Sequence, residues 1–120
     1  MADKKEDCVF CKIATGTIGA TKHYEDDNFV VFDDASPFTE GHCLVVPKNH
    51  YPTILDLPST LGTELLSVIK KQAVRLINDK KVSGFNIIQN NFASAGQVVH
   101  HFHVHVIPRK EKDGIKFLSK

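Results

Sequence analysis

The chain has 120 residues and a formal net charge of +1, with 42% hydrophobic and 24% charged residues. That length supports one modest core, so residues 1–120 read as a single domain, and the near-neutral balance excludes a global basic field suited to a nucleic-acid backbone. No apolar run reaches the roughly 18–20 residues of a membrane span. The polar start Met1-Ala2-Asp3-Lys4-Lys5-Glu6-Asp7 lacks the apolar core of a signal peptide, and three cysteines argue against a secreted disulfide framework, so the chain reads as cytoplasmic.

Residues 1–6 are charged and expected to be frayed. Val9, Phe10 and Ile13 are spaced for one or two turns of amphipathic helix over Cys8–Ala14, and Gly16 and Gly19 mark the loop that follows. Lys22–Glu25 and Phe29–Asp33 read as a hairpin around Asp26-Asp27-Asn28, ended by Asp33-Asp34-Ala35-Ser36-Pro37. After Gly41, the continuous run Cys43-Leu44-Val45-Val46 predicts a central strand buried on both faces and stopped by Pro47. Thr53–Leu57 is expected to form a helical turn. Pro58-Ser59 starts the one long helix, whose Leu61, Leu65, Val68, Ile69, Gln72, Leu76 and Ile77 form a stripe toward the sheet through about residue 79. Phe85–Gln89 reads as a fourth strand led in by Gly84, and Phe92–Val98 as a small-residue loop. The tail, Arg109–Lys120, is basic with Phe117 and Leu118, and its docking site is not legible. Strands in runs rather than in regular alternation with helices indicate an α+β fold: a five-stranded, largely antiparallel sheet with one long helix and a short N-terminal helix.

The fifth strand is the distinctive one. In His101-Phe102-His103-Val104-His105-Val106-Ile107 histidine and apolar residues alternate, so an extended chain puts His101, His103 and His105 on one face and Phe102, Val104 and Val106 on the other. A helix would turn His103 away from its neighbours. At about 3.3 Å per residue, adjacent imidazoles start roughly 6.6 Å apart, within reach of one small anion or one metal ion. Two readings compete: a metal-chelating or merely histidine-rich strand, and a nucleophilic site in which a neutral imidazole attacks phosphorus while its neighbours orient it and handle protons.

With Gly96-Gln97-Val98-Val99 before it, Pro108-Arg109 after it, Asn90-Asn91 upstream and Gly41-His42-Cys43-Leu44-Val45-Val46-Pro47-Lys48 earlier in the chain, this segment resembles the histidine triad family of nucleotide hydrolases and transferases. The resemblance implies the same α+β architecture and a homodimer. It makes His103 the nucleophile that forms a nucleotidyl-histidine intermediate, and His105 the neighbour whose side chain or carbonyl orients it and assists the leaving group. His101 is the first triad member, and His42 the distant fourth histidine that supports the triad by hydrogen bonding. Gly96 would let backbone approach the phosphate, the Gln97 side chain and backbone amides would donate to it, and Asn90 and Val98 would flank it. For a purine nucleotide, the resemblance points to Phe10 and Phe32 as walls of the base pocket, with Val9 and Ile13 beside them, and to Asp34 as acceptor of the ribose hydroxyls.

Cys8-x-x-Cys11 alone is either a redox pair or two unrelated thiols. Some relatives bind zinc through such a pair, a histidine after the Pro-Lys segment and the first triad histidine. Cys8, Cys11, His50 and His101 stand at those positions, a set suited to a structural tetrahedral site. Two departures stand out. The chain has no tryptophan, so its Pro108-Arg109-Lys110 tail is unlike the nucleoside phosphoramidase branch and looks more like bacterial-type members and the dinucleoside polyphosphate branch. Val98 stands where many relatives place a serine. The expected reaction is hydrolysis of a nucleoside 5'-phosphoramidate or a dinucleoside polyphosphate at the phosphorus attached to the nucleoside. Its rivals are a nucleotide-binding interaction module and a nucleotidyl transferase.

Overall fold

Residues 7–80 and 82–118 are described by the structure, a computed structural model. Residues 1–6, expected to be frayed, lie outside the described residues. The elements run α1 (Val9–Ala14), β1 (Lys22–Glu25), β2 (Phe29–Asp33), β3 (Cys43–Pro47), α2 (Gly62–Lys80), β4 (Gly84–Ile88) and β5 (Val104–Arg109). The five strands form one sheet in the order β1-β2-β3-β5-β4, and every pairing is antiparallel.

Period-two alternation divides the core between the two faces of this sheet. One face carries Phe29, Val31, Cys43, Val45, Phe102, Val104 and Val106, covered by Val68 and Leu76 of α2. The other carries Val30, Phe32, Leu44 and Val46, covered by Phe10 and Ile13 of α1. This double covering is why β2 and β3 read as unbroken apolar runs. On β5, the odd positions His105 and Ile107 belong to the α1 face. The register then sets a row across the sheet, because Phe32 pairs with Leu44, Leu44 with His105, and His105 with Ile88.

Several details differ from the sequence reading. β5 begins at Val104 rather than His101, because the Phe102 N–H donates to the Tyr51 carbonyl at 2.6 Å instead of to a neighbouring strand. The same strand continues through Pro108, whose carbonyl accepts the Thr39 hydroxyl at 2.7 Å. Ile77, expected on the buried stripe, is 40% exposed, and the α2 face with Leu66, Val74 and Ile77 is open; Val68, Gln72 and Leu76 are buried as expected, and Ala73 joins them. A 3-10 turn over Ser59–Leu61 leads into α2.

Candidate functional site

Two lead-in residues and β5 carry the three triad histidines on the α1 face. The rings of His103 and His105 lie 5.0 Å apart, and Phe10 from α1 packs edge-on against both His103 (5.1 Å) and His101 (6.0 Å). His101 and His103 are buried and His105 is partly open.

The hydrogen bonds fix which nitrogen of each ring carries a proton, because backbone carbonyls only accept and backbone N–H groups only donate. His103 Nδ1 donates to the His101 carbonyl at 2.7 Å, so in the neutral ring Nε2 holds a free lone pair. The carbonyl that orients His103 therefore belongs to His101, where the sequence reading had offered His105. His42 Nδ1 accepts from the Phe38 N–H at 3.1 Å, which leaves the proton on Nε2. That proton points at His105 Nδ1, 2.9 Å away, and the proton of His105 is in turn assigned to its Nε2. His101 Nε2 donates to the Pro47 carbonyl at 2.7 Å, so its lone pair is on Nδ1, facing the cysteines.

Electrostatics agree with four neutral rings. Burial lowers the pKa of His101 and of His105 to about 4, and the neighbouring histidines push the same way. Burial also lowers His103, against its bond to the His101 carbonyl and the Asp34 charge, and lowers His42 against Asp34. The Asp34 carboxylate sits 3.4 Å from His42 Nε2 and 3.8 Å from His105 Nδ1, with its other oxygen held by the Ser36 N–H at 2.8 Å. A buried imidazole with a fixed tautomer and an open lone pair can attack an electrophile, and the adjacent N–H can protonate what leaves.

The second constellation lies on the far side of His101. Cys8 caps α1, its Sγ accepting the Cys11 N–H at 3.2 Å, so the first helical turn brings both sulfurs to one side. Cys8 Sγ and Cys11 Sγ lie 3.2 Å and 3.4 Å from His101 Nδ1, and His50 Nδ1 lies 3.3 Å from both Cys11 Sγ and His101 Nδ1. All four ligand atoms fall within 4.8 Å of one another. Bonds of about 2.0–2.1 Å to nitrogen and about 2.3 Å to sulfur give tetrahedral edges of roughly 3.3–3.8 Å, so a zinc ion fits this donor set. A tetrahedron of soft and imidazole donors with the His101 lone pair turned inward is the chemistry of a metal site, and no disulfide joins Cys8, Cys11 or Cys43.

The profile of the HIT domain matches residues 15–112. The chain belongs to the HIT family. The adenylylsulfatase HINT3 of Arabidopsis thaliana is 40% identical over 109 residues; that stretch is 91% of this chain and 55% of the plant protein, so the chain spans about half its length. The adenosine 5'-monophosphoramidase HNT1 of Candida albicans is 37% identical over 109 residues, covering 88% of this chain and 72% of that one. The crystal structure of a zinc-bound histidine triad family protein from Mycobacterium smegmatis is 36% identical and superposes with a TM-score of 0.89, covering 95% of this chain and 83% of that chain. The five-stranded antiparallel sheet with one long and one short helix is thus the HIT fold.

Not every residue of the HIT pattern sits as expected. Both ends of the Gln97 side chain are engaged inside the protein: Nε2 donates to the Pro52 carbonyl at 2.6 Å, and Oε1 accepts the Phe92 N–H at 2.7 Å. Gln97 therefore braces the 92–97 loop, with its side chain buried and one Nε2 hydrogen committed to Pro52. Gly96, at φ +96°, closes that loop beside the Asn90 side chain, in a conformation that suits glycine. Val98 is 89% exposed. Phe10 and Phe32 pack edge-to-face at 5.4 Å and are both buried, Phe10 also against His101 and His103.

Two contributors escaped the sequence reading. Phe38 supplies the N–H that sets the His42 tautomer and stacks its ring on His42 at 5.8 Å. Phe117 meets Phe38 edge-on at 5.5 Å, which brings the C-terminal tail to the triad. An aromatic residue four positions before His42 was the available signal for the first. For Phe117 there was none beyond its presence in a basic tail.

Proposed function

We propose that this HIT protein is a nucleotide hydrolase that cleaves nucleoside 5'-phosphoramidates or dinucleoside polyphosphates at the phosphorus attached to the nucleoside, releasing AMP or another nucleoside monophosphate. The observation that carries the reading is the His103 ring: Nδ1–H is tied to the His101 carbonyl, and Nε2 is left as a lone pair next to His105. The phosphoramidase named among its relatives supports the same chemistry.

In the first half-reaction the His103 Nε2 lone pair bonds to phosphorus as the bond to the leaving group breaks. The departing atom keeps the bond pair and takes the proton from His105 Nε2, leaving that ring an imidazolate held by the His42 Nε2–H until water returns the proton. In the second half, water attacks the same phosphorus, returns a proton to His105 and displaces His103. Positioning supplies much of the rate in such a step. His42 holds His105 in its tautomer, and Asp34 stands where it can accept ribose hydroxyls or offset charge on the His42–His105 pair. Phe10 and Phe32 form the base side, with Asn90 and Gly96 on the phosphate side.

Zinc held by Cys8, Cys11, His50 and His101 would be structural, tying the start of α1 to the segment whose carbonyl orients His103. A homodimer is part of the same proposal. The edge strand β4 exposes Phe85 and Ile87 on the sheet face that α2 covers, where Leu66, Val74 and Ile77 are also open, and an apolar strand edge is a pairing surface. The location is cytoplasmic, supported by cysteines gathered in a metal-type cluster rather than in disulfides.

The test is turnover of adenosine 5'-phosphoramidate and of a diadenosine polyphosphate, with wild type and His103→Ala side by side. AMP formation that His103→Ala abolishes upholds the reading. Binding without turnover makes the protein an interaction module, and a nucleotide delivered to an acceptor other than water makes it a transferase.

A further inference from the structure

Three consecutive residues, His50, Tyr51 and Pro52, connect the cysteine cluster to two parts of the active site. His50 Nδ1 lies 3.3 Å from both Cys11 Sγ and His101 Nδ1. The Tyr51 carbonyl accepts the Phe102 N–H at 2.6 Å, one residue before the nucleophile. The Pro52 carbonyl accepts from Gln97 Nε2 at 2.6 Å, in the loop that Gly96 closes. His50 has no second anchor: among the described residues its Nε2 is buried without a hydrogen-bond partner, whereas His101 is also tied to the Pro47 carbonyl through Nε2. The two sulfurs of the cluster differ in access, since Cys8 is 3% exposed and Cys11 is partly open. Their Sγ atoms lie within 4.8 Å of each other. Cys43, the third thiol, faces α2 on the other side of the sheet.

We propose that Cys8 and Cys11 are a redox modification site: a hydroperoxide converts them to a disulfide, the bound metal is released, and turnover at His103 falls. The effect on turnover rests on the hydrolase reading above; the modification itself does not. As metal ligands both sulfurs are thiolates, the form that attacks peroxide. The open Cys11 sulfur takes one oxygen as the O–O bond breaks, giving a sulfenic acid and hydroxide. The Cys8 thiolate then attacks that sulfur; the S–S bond forms, the S–O bond breaks and a second hydroxide leaves. Two protons from solvent turn both hydroxides into water, and the two electrons lost by the sulfurs are those gained by the peroxide. A disulfide sulfur is no longer the thiolate that a metal needs, so the ion departs and the His50 ring loses what fixed it. Slack at His50 passes to the two carbonyls that follow it. One sets the Phe102 peptide, and through it the His101 carbonyl that orients His103; the other holds the Gln97 amide. Phe10 stands between the two cysteines and packs on His103, so a bond that draws the cysteines together also shifts a ring touching the nucleophile. A redox change at one cluster is thereby read at another.

The experiment treats zinc-loaded wild type, Cys8→Ser, Cys11→Ser and Cys43→Ala with a small molar excess of hydrogen peroxide, then with dithiothreitol and zinc. The readouts are free thiols counted in denaturant, the mass of the tryptic peptide 6–12, zinc captured by a chromophoric chelator, and kcat on adenosine 5'-phosphoramidate. In wild type, peroxide should take the free thiols from three to one, make the peptide lighter by two hydrogens and release the zinc in step. It should also lower kcat about tenfold, the size of effect expected when a group supporting a site from behind is lost. Dithiothreitol with zinc should restore every readout, and Cys43→Ala should respond as wild type does. Cys8→Ser and Cys11→Ser should start with the lowered kcat and lose nothing further to peroxide. Protein that takes up no zinc, thiols that stay reduced with zinc in place, a peptide that gains oxygen instead of losing hydrogen, or a disulfide formed with kcat unchanged would each overturn the proposal. So would a loss of kcat that Cys11→Ser still suffers. A reduced wild type that does not turn over the substrate overturns the hydrolase reading, and with it the effect on turnover, while the peptide mass and the released zinc still decide the modification.

Discussion

His42 Nε2 lies 2.9 Å from His105 Nδ1, and the direction of that bond is set two atoms away, where the Phe38 N–H donates to His42 Nδ1 at 3.1 Å. The chain of donors runs from a loop amide through a fully buried ring to the one triad histidine that is partly open. His42→Ala removes the donor that keeps the His105 proton on Nε2 and leaves a cavity where a buried ring stood. The expected result on adenosine phosphoramidate is a kcat lowered about 10²-fold with KM nearly unchanged, since His42 acts on the proton donor rather than on binding. His42→Gln, which can donate through its amide, should recover part of the loss. Equal rates for wild type and both variants would remove His42 from the mechanism.

His103 carries the strongest expectation. His103→Ala should lose about 10⁴-fold or more in kcat, as deletions of nucleophiles do. The pH dependence has a definite sign. Burial holds the His103 pKa below its ordinary 6.5, and only the neutral ring has the lone pair, so kcat/KM should stay level as pH falls to 6.5 and drop on an acid limb below it. The free-enzyme profile of kcat/KM reads this pKa directly; an acid limb centred above 6.5 would contradict the neutral, buried nucleophile.

The same shifts make the fold acid-sensitive. His105 is near 4 in the folded chain and near 6.5 when unfolded, so between those values the unfolded chain binds more protons and stability falls as pH falls. The loss begins below pH 6.5, is nearly complete at pH 4, and amounts to at most roughly 3 kcal/mol. Denaturant midpoints at pH 7, 5.5 and 4.5 check it; a midpoint that stays constant over that range would contradict it.

Much of this was legible before any coordinates. A hairpin signal located β2, an unbroken apolar run located β3, and in the histidine strand the alternation placed the odd residues of 101–107 apart from Phe102, Val104 and Val106, because side-chain direction is local to the strand. What escaped depends on distant partners. His101 and His103 stand outside the β5 ladder because Phe102 bonds to Tyr51, which only the folded chain brings near. That Gln97 also braces its own loop, through Pro52 and Phe92 at the two ends of its amide, was not legible in the sequence. Ile77 fits a helical stripe by spacing alone, and the open surface it joins is decided by what the sheet leaves uncovered. Phe117 reaches the triad only because Arg109 and Asp113 fold the tail back.

Metal binding gives a prediction independent of activity. Protein prepared without added chelator should contain about one zinc per chain, and Cys11→Ser should lower that content severalfold together with the melting temperature. Removing the ion with a strong chelator should destabilise wild type and leave Cys11→Ser unaffected, because structural zinc binding is coupled to folding. Elemental analysis with thermal melts decides it; wild type with no metal and an unchanged melt in chelator would leave the four ligands as a hydrogen-bonded cluster.

The β4 edge supplies the last expectation. Phe85 and Ile87 point to the α2 side of the sheet, opposite the histidines, since Ile87 pairs with Val106 and Phe85 with Pro108. Leu66, Val74 and Ile77 recur on one stripe of α2 and are 57%, 58% and 40% exposed. A two-fold copy pairing β4 with β4 would extend the sheet and bury these apolar side chains against their own counterparts, as a self-complementary interface requires. Ile87→Lys places a charge at the centre of that surface, where two copies would meet lysine against lysine. Wild type should run as a dimer in light scattering and Ile87→Lys as a folded monomer at the same concentration. A wild-type monomer would reject this pairing, and a dimer that tolerates Ile87→Lys would move the interface elsewhere.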